Sequence, residues 1–288
     1  MKTYKFASDI LFIRDCLDFD QDSFADEIGV SRSNIARYES GEITPSKIIL
    51  EKIYNFAFIN GFDINKAKSM IYEDTEKDEI ILYHGARGEI EGHVDTKHSI
   101  SPNDFGNGFY LGESLNQANM WISALENSST YCFRFKKNKN LIVTTFSVDY
   151  NWLLAILYYR GGLDGYILPK KIINIIDKVE SSDYLIAPIA DNQMYDTIEA
   201  FRNNLISDVA CLHALRANNL GSQYVFKSEK ACKLLKFVDR FYLCQKEREH
   251  YLKIKSSASN DSKNKIVLAY AKYRKEGKMF SEIFKRKG

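Results

Sequence analysis

The hydrophobic pattern of the chain changes character near residue 75. Before that point apolar residues recur at helical spacing. Phe24, Ala25 and Ile28 share one face; after Gly29, Ile35 and Tyr38 share another, and the runs IILEKIYNFAFI and INKAKSMIY continue the helical period. The polar run EDTEKDE then marks a boundary, and a new domain is expected to begin near Glu76. Beyond it, IILYH, TYCFRF, LIVTTF, YLIAPI and QYVFK are rich in β-branched and aromatic residues and read as strands. Helical patterns lie between them at LNQANMWISALE, NWLLAILYY, MYDTIEAFRNN and SDVACLHALRAN. Strands and helices mix without strict alternation, so the expected fold class is α+β with a mixed or antiparallel sheet. The expected division is an all-α region over 1–75, an α+β domain over 76–243 and a basic helical segment over 244–288. In that last segment the polar stretch KSSASNDSKNK reads as a linker before a helix within IVLAYAKYRKEGKMFSEIFKRK.

The stretch DQDSFADEIGVSRSNIARYESGEITPS places two short helices around Gly29, with Ser31 positioned to cap the second. Glycine lets the second helix leave at a steep angle. With Tyr38, Glu39, Ser40, Gly41 and Pro45 following, this stretch resembles the lambda-repressor and Cro-like family of helix-turn-helix domains. The resemblance implies that Ser31, Arg32, Ser33, Asn34 and Arg37 on the second helix meet bases or phosphates of DNA, and that Gln21 holds a phosphate. It also implies a possible homodimer. A dimerising or partner-docking module is the alternative use of such a domain.

Charge changes the picture because it is unevenly spread. The chain of 288 residues has a formal charge of +2, but residues 1–75 hold 9 basic and 13 acidic side chains while residues 245–288 hold 13 basic and 5 acidic ones. The acidic balance of the first region favours the docking alternative, since non-specific DNA affinity comes largely from Lys and Arg. The longest apolar run, WLLAILYY, is far shorter than the roughly 20 residues a membrane-spanning helix needs. The N-terminus lacks the apolar core of a signal peptide, so a cytoplasmic protein is expected. The five cysteines are scattered and odd in number, which suits buried thiols rather than disulfides or zinc. Neither His93 nor His98 has partners at metal-ligand spacing, and no metal is expected.

Candidate chemistry centres on EIILYHGARGEIEGHVDTKHSISPNDFGNGFYLG. His84 ends an apolar run directly before Gly85, where a backbone without a side chain can approach a flat ligand. Phe109 and Tyr110 lie between Gly106, Gly108 and Gly112, a setting for an aromatic ring at a pocket wall. These two motifs, with the helix NQAN that follows, resemble the ADP-ribosyltransferase superfamily in its poly(ADP-ribose) polymerase and diphtheria-toxin branch. The whole span from Ile80 to about Phe237 resembles a bacterial family of transferase-like domains of unknown function placed in that superfamily. The resemblance implies that His84 bonds a ribose hydroxyl of NAD, that the Gly85 backbone grips the carboxamide, and that Tyr110, with Phe109 beside it, faces the nicotinamide ring.

One position departs from the superfamily's pattern. The late strand that should carry a glutamate reads QYVF, placing Gln223 where a carboxylate is expected; an amide holds a hydroxyl but adds no charge. Asp191, in the loop PIADNQMY, is the candidate for the missing charge. The expected function is a mono-ADP-ribosyltransferase that uses NAD to modify a nucleic acid or a protein, tethered to DNA by its first domain. A toxin or phage-defence role suits that architecture, with an antitoxin as a possible partner. The alternative is a transcriptional regulator whose inactive transferase-like domain senses NAD or another nucleotide.

Overall fold

The computed structural model describes residues 3–74, 78–97, 99, 103–190, 192–217 and 221–287. The elements in chain order are α1 (Phe6–Cys16), α2 (Gln21–Ile28), α3 (Arg32–Glu39), α4 (Lys47–Ile59), α5 (Ile64–Glu73), β1 (Glu79–Arg87) and β2 (Phe109–Gly112). They continue with α6 (Leu115–Ile122), β3 (Ser128–Lys136), β4 (Val143–Thr145), α7 (Tyr150–Tyr159), α8 (Lys170–Glu180), β5 (Tyr184–Pro188) and α9 (Asn192–Arg202). The last are α10 (Asp208–Arg216), β6 (Ser222–Phe226), α11 (Glu229–Cys232), β7 (Leu235–Tyr242), α12 (Gln245–Tyr273) and α13 (Phe280–Ile283). The class is α+β. The expected boundary near Glu76 falls on residues outside the described ones.

The chain divides into two compact units, the first formed by residues 1–92, 114–136 and 236–254 and the second by 93–113, 137–235 and 255–288. In the first unit, Asp20 caps α2 by accepting from the Ser23 amide at 2.8 Å, and Gly29, at φ +76°, ends it in the left-handed conformation. Ser31 then caps α3 through the Asn34 amide. Phe24, Ile28, Ile35, Leu50, Ile53 and Tyr54 close the helical core over this turn. Strands of this unit lie in the order β1-β3-β7, with β1 and β3 antiparallel from Glu79↔Lys136 to Arg87↔Ser128. Helix α6 packs Leu115 and Ala118 against Ile81, Tyr83, Cys132 and Phe241.

In the second unit the strand order is β4-β5-β6-β2, with β4 and β5 parallel and the remaining pairs antiparallel. Its core gathers around α7, whose residues Trp152 to Leu157 are all buried, together with Phe105, Leu185, Phe201 and Val225. A helix that is apolar on every side has to be central.

Three expectations are corrected. The stretch KSSASNDSKNK is not a linker: α12 runs through it unbroken, and it contains neither Gly nor Pro to stop a helix. The basic helix ends at Tyr273, and Gly277, at φ +84°, turns the chain into the short α13. Of the five cysteines, Cys16 is exposed while the other four are buried, and all are free.

Candidate functional site

His84 and Gly85 lie on β1 of the first unit, opposite Tyr131 and Thr130 of β3. His84 is half-buried. Gly85 has a packing reason of its own: a Cβ there would come within 2.6 Å of the Ile122 side chain and 2.9 Å of the Ala118 carbonyl. Helix α6 therefore needs this glycine whether or not a ligand does.

In the second unit, β2 and β6 pair so that Phe109 faces Phe226, Tyr110 faces Val225 and Gly112 faces Gln223. Residues two apart on a strand share a face, so Tyr110 and Gln223 stand on the same side of the sheet. Gln223 is buried, and its Nε2 donates to Asp104 Oδ2 at 2.9 Å and to the Pro188 carbonyl at 3.0 Å. The other oxygen of Asp104 accepts from Arg160 Nε at 2.9 Å and Nη2 at 2.6 Å. The Arg160 guanidinium in turn lies over the Tyr195 ring, 5.1 Å from its centroid.

Tyr110 is anchored from both sides of its hydroxyl, which donates to the Gly106 carbonyl at 2.7 Å and accepts from the Phe105 amide at 3.1 Å. Burial pushes its phenol well above the ordinary range, so it stays neutral. Lys227 donates to the Phe105 carbonyl at 2.8 Å and pairs with Glu180 at 3.3 Å; burial holds its ammonium below the usual lysine range. Gly106 is at φ +69°, and a Cβ there would meet Tyr159 at 3.0 Å. A Cβ on Gly108 would meet Val225 at 2.8 Å. Gly106 thus lets the loop pack on α7 and Gly108 lets it close on the sheet, in the arrangement that sets Asp104 beside Gln223.

The structure brings Tyr110 and Gln223 together and adds Asp104 and Arg160, which sequence reasoning missed. The sequence held a faint signal for Asp104, an acid in the middle of NDFGNGFY, but nothing there pointed to Arg160 as its partner. Asp104 thus sets a carboxylate beside the Gln223 amide, and Arg160 pairs with it.

On the helix-turn-helix, Ser31, Arg32, Ser33 and Arg37 are exposed and Asn34 is half-buried. Arg32 lies 3.4 Å from Asp22 and Arg37 2.9 Å from Glu42, both exposed pairs. Ser31 and Ser33 share a hydroxyl bond of 3.0 Å. Gln21 does not reach outward: its Nε2 donates to Glu39 at 2.7 Å, and Glu39 also holds Arg14 at 2.6 Å.

Two family models match the chain. Residues 13–56 match the family described as "Helix-turn-helix", and residues 80–237 match the family described as "Protein of unknown function (DUF3990)". The second match covers more than half of the chain. The chain belongs to the DUF3990 family. Neither a curated protein nor a solved structure matches it.

The DUF3990 segment holds Asp104, Tyr110, Arg160 and Gln223. Asp191, proposed from sequence for the missing charge, lies outside the described residues, as does His98. Among the described residues no group of three or more His, Cys, Asp or Glu is placed to hold a metal ion, and no helix is long and apolar enough to cross a membrane.

Proposed function

We propose that the DUF3990 segment is an NAD-dependent mono-ADP-ribosyltransferase and that the helix-turn-helix ahead of it binds DNA. The observation that carries the enzymatic reading is the contact of 2.9 Å between the Gln223 amide and the buried Asp104 carboxylate. In this reaction the bond between nicotinamide and ribose breaks with its electron pair leaving on nicotinamide. Positive charge then develops on the ribose, an acceptor oxygen or nitrogen attacks the sugar carbon, and the acceptor's proton passes to solvent or a nearby base. Fixed negative charge close to the sugar stabilises that cationic state, which is the task a glutamate performs in the superfamily the sequence resembles. Asp104 supplies the charge, Gln223 orients it and offers its own amide oxygen to a ribose hydroxyl, and the Tyr110 ring presents a rigid face to the nicotinamide.

A second reading is favoured by one feature. Arg160, at 2.6 Å, offsets the charge of Asp104, and a neutralised site binds a nucleotide without turning it over. A regulator that senses NAD and adjusts DNA binding would need no more.

Release of nicotinamide from labelled NAD separates the readings, measured with cell lysate or nucleic acid as acceptor. Asp104→Asn is expected to lower release by about 100-fold or more. His84→Ala probes the residue the resemblance assigns to ribose. NAD binding without release in the wild type would establish the sensor, and no binding would refute both. Electrophoretic shift of DNA by the full chain, abolished in an Arg32→Ala, Arg37→Ala double variant, tests the first domain.

A further inference from the structure

A set of cations that the proposed reaction does not use converges elsewhere, inside the first unit. A cavity of about 230 Å³ is lined there by Tyr4, Lys47, Asn127, Arg240, Tyr242 and Arg248. Its walls come from the helix-turn-helix region on one side, and from the start of β3 and the junction of β7 with α12 on the other.

Lys47 is exposed and donates to Asn127 Oδ1 at 2.8 Å; among the described residues it has no carboxylate in ion-pair contact. It is also the first residue of α4, where the positive end of the helix dipole disfavours a cation. Arg240 lies under the Tyr4 ring, 4.1 Å from its centroid, and pairs with the half-exposed Glu89 at 3.2 Å. Arg248 sits 3.6 Å from Glu51, which already accepts from the Tyr242 hydroxyl at 2.8 Å and the Gln245 amide at 2.9 Å. Three cations thus meet two carboxylates, one of which is shared among other donors. Asn127, at φ +56°, is held in a conformation that few residues other than glycine adopt, and its side chain meets Lys47. A lysine set against a helix dipole and two arginines around a small cavity make a site for negative charge.

We propose that this cavity binds a small phosphate-bearing anion and thereby links α4 to the start of β3 and to the junction of β7 with α12. The volume lies below the roughly 300 Å³ at which pockets for larger organic ligands begin, so the ligand is a phosphate, a pyrophosphate or a small sugar phosphate, not a dinucleotide.

Calorimetric titration of the full chain with inorganic pyrophosphate at low salt tests the site. Saturable binding to one site is expected, weakened about tenfold or more by Lys47→Gln, whose exposed position leaves folding intact. Binding should be unchanged in Asp104→Asn and in Arg32→Ala, which separates this cavity from the proposed NAD site and from the DNA-facing helix. Absence of saturable binding at millimolar pyrophosphate would overturn the proposal. So would an unaltered affinity in a folded Lys47→Gln protein, or a loss that tracks Asp104→Asn or Arg32→Ala.

Discussion

Each unit of the molecule buries a carboxylate against a cation, and the two clusters are built differently. In the first unit Lys68 lies 2.9 Å from Asp9 and 2.8 Å from Asp239, while Tyr54 and Tyr72 donate to those carboxylates at 2.7 and 2.8 Å. The side chains of Lys68, Asp9 and Asp239 are only 6%, 4% and 0% exposed. In the second unit Asp104 is just as buried, but its partner Arg160 is 22% exposed and reaches toward the Tyr195 ring. The first cluster holds elements of the fold together, because the cation that bridges its two carboxylates is itself enclosed and exposed Lys5 reaches only its edge, 3.9 Å from Asp239. An open one keeps a charged edge available to a ligand. Burial of a charged group is by itself no sign of chemistry; the exposure of the cation that holds it matters as well.

The largest expected effect breaks the sealed cluster. Lys68→Met removes the enclosed cation between Asp9 and Asp239, leaving Asp239 only Lys5 at 3.9 Å, and should lower stability by about 3–5 kcal/mol, read from the urea midpoint of the full chain. A loss below about 1 kcal/mol would mean that water reaches Asp9 and Asp239, and the contrast between the clusters would disappear.

Gln223→Glu sharpens the contrast from the other side. It places a second carboxylate within hydrogen-bond reach of Asp104, so the pair retains one proton and the folded pKa of one member rises above its unfolded value. The penalty is absent below about pH 4, where both groups are protonated in the unfolded chain, and grows as pH rises. Stability at neutral pH should fall by about 2 kcal/mol relative to the wild type and recover on acidification. A flat difference across pH would show that Arg160 carries both charges.

Glu247 is a fourth buried acid, and among the described residues no cation lies in ion-pair contact with it. Its oxygens accept from Asn65 at 2.8 Å and Asn119 at 3.3 Å, and burial raises its carboxyl well above the usual range. A raised folded pKa favours the folded state below the unfolded value and loses that advantage as pH climbs through the folded value. Wild-type stability should therefore fall upward from about pH 4.5, with a slope of up to about 1.4 kcal/mol per pH unit, and Glu247→Gln should flatten it. An unchanged slope in the variant would assign the effect to another group, Asp9 first, whose carboxyl burial also raises.

The contrast between clusters also shows what the sequence could reveal. Helix caps, the Gly29 turn and the strands around His84 and Tyr110 were legible because local chemistry fixes them: Ser31 caps its own helix, and Tyr110 sits among its own glycines. Asp104 was not legible as a partner of Gln223, since 119 positions separate them and only the closing of the Gly106 loop on the sheet brings them together. Lys68 and Asp239 escaped notice for the same reason: each looks like an ordinary surface charge until long-range packing encloses it. The unbroken α12 was missed for a different cause. Its middle has neither apolar period nor helix breaker, so the sequence alone decides nothing there.

The smallest expected effect lies on the helix-turn-helix, where charges are fully open. Arg32 and Arg37 are paired with Asp22 and Glu42, and exposed pairs of this kind contribute about 0–1 kcal/mol. Removing either arginine should therefore leave the urea midpoint nearly unchanged. Its effect should appear in DNA affinity and in the salt dependence of that affinity, whose logarithmic slope falls by about 0.9 for each phosphate no longer neutralised. Because Asp22 and Glu42 compete with phosphate for the same guanidinium groups, Asp22→Asn should act in the opposite sense and tighten binding. If neither arginine variant changes the slope and Asp22→Asn changes nothing, the second helix does not face DNA, and this acidic domain is a docking module for another protein.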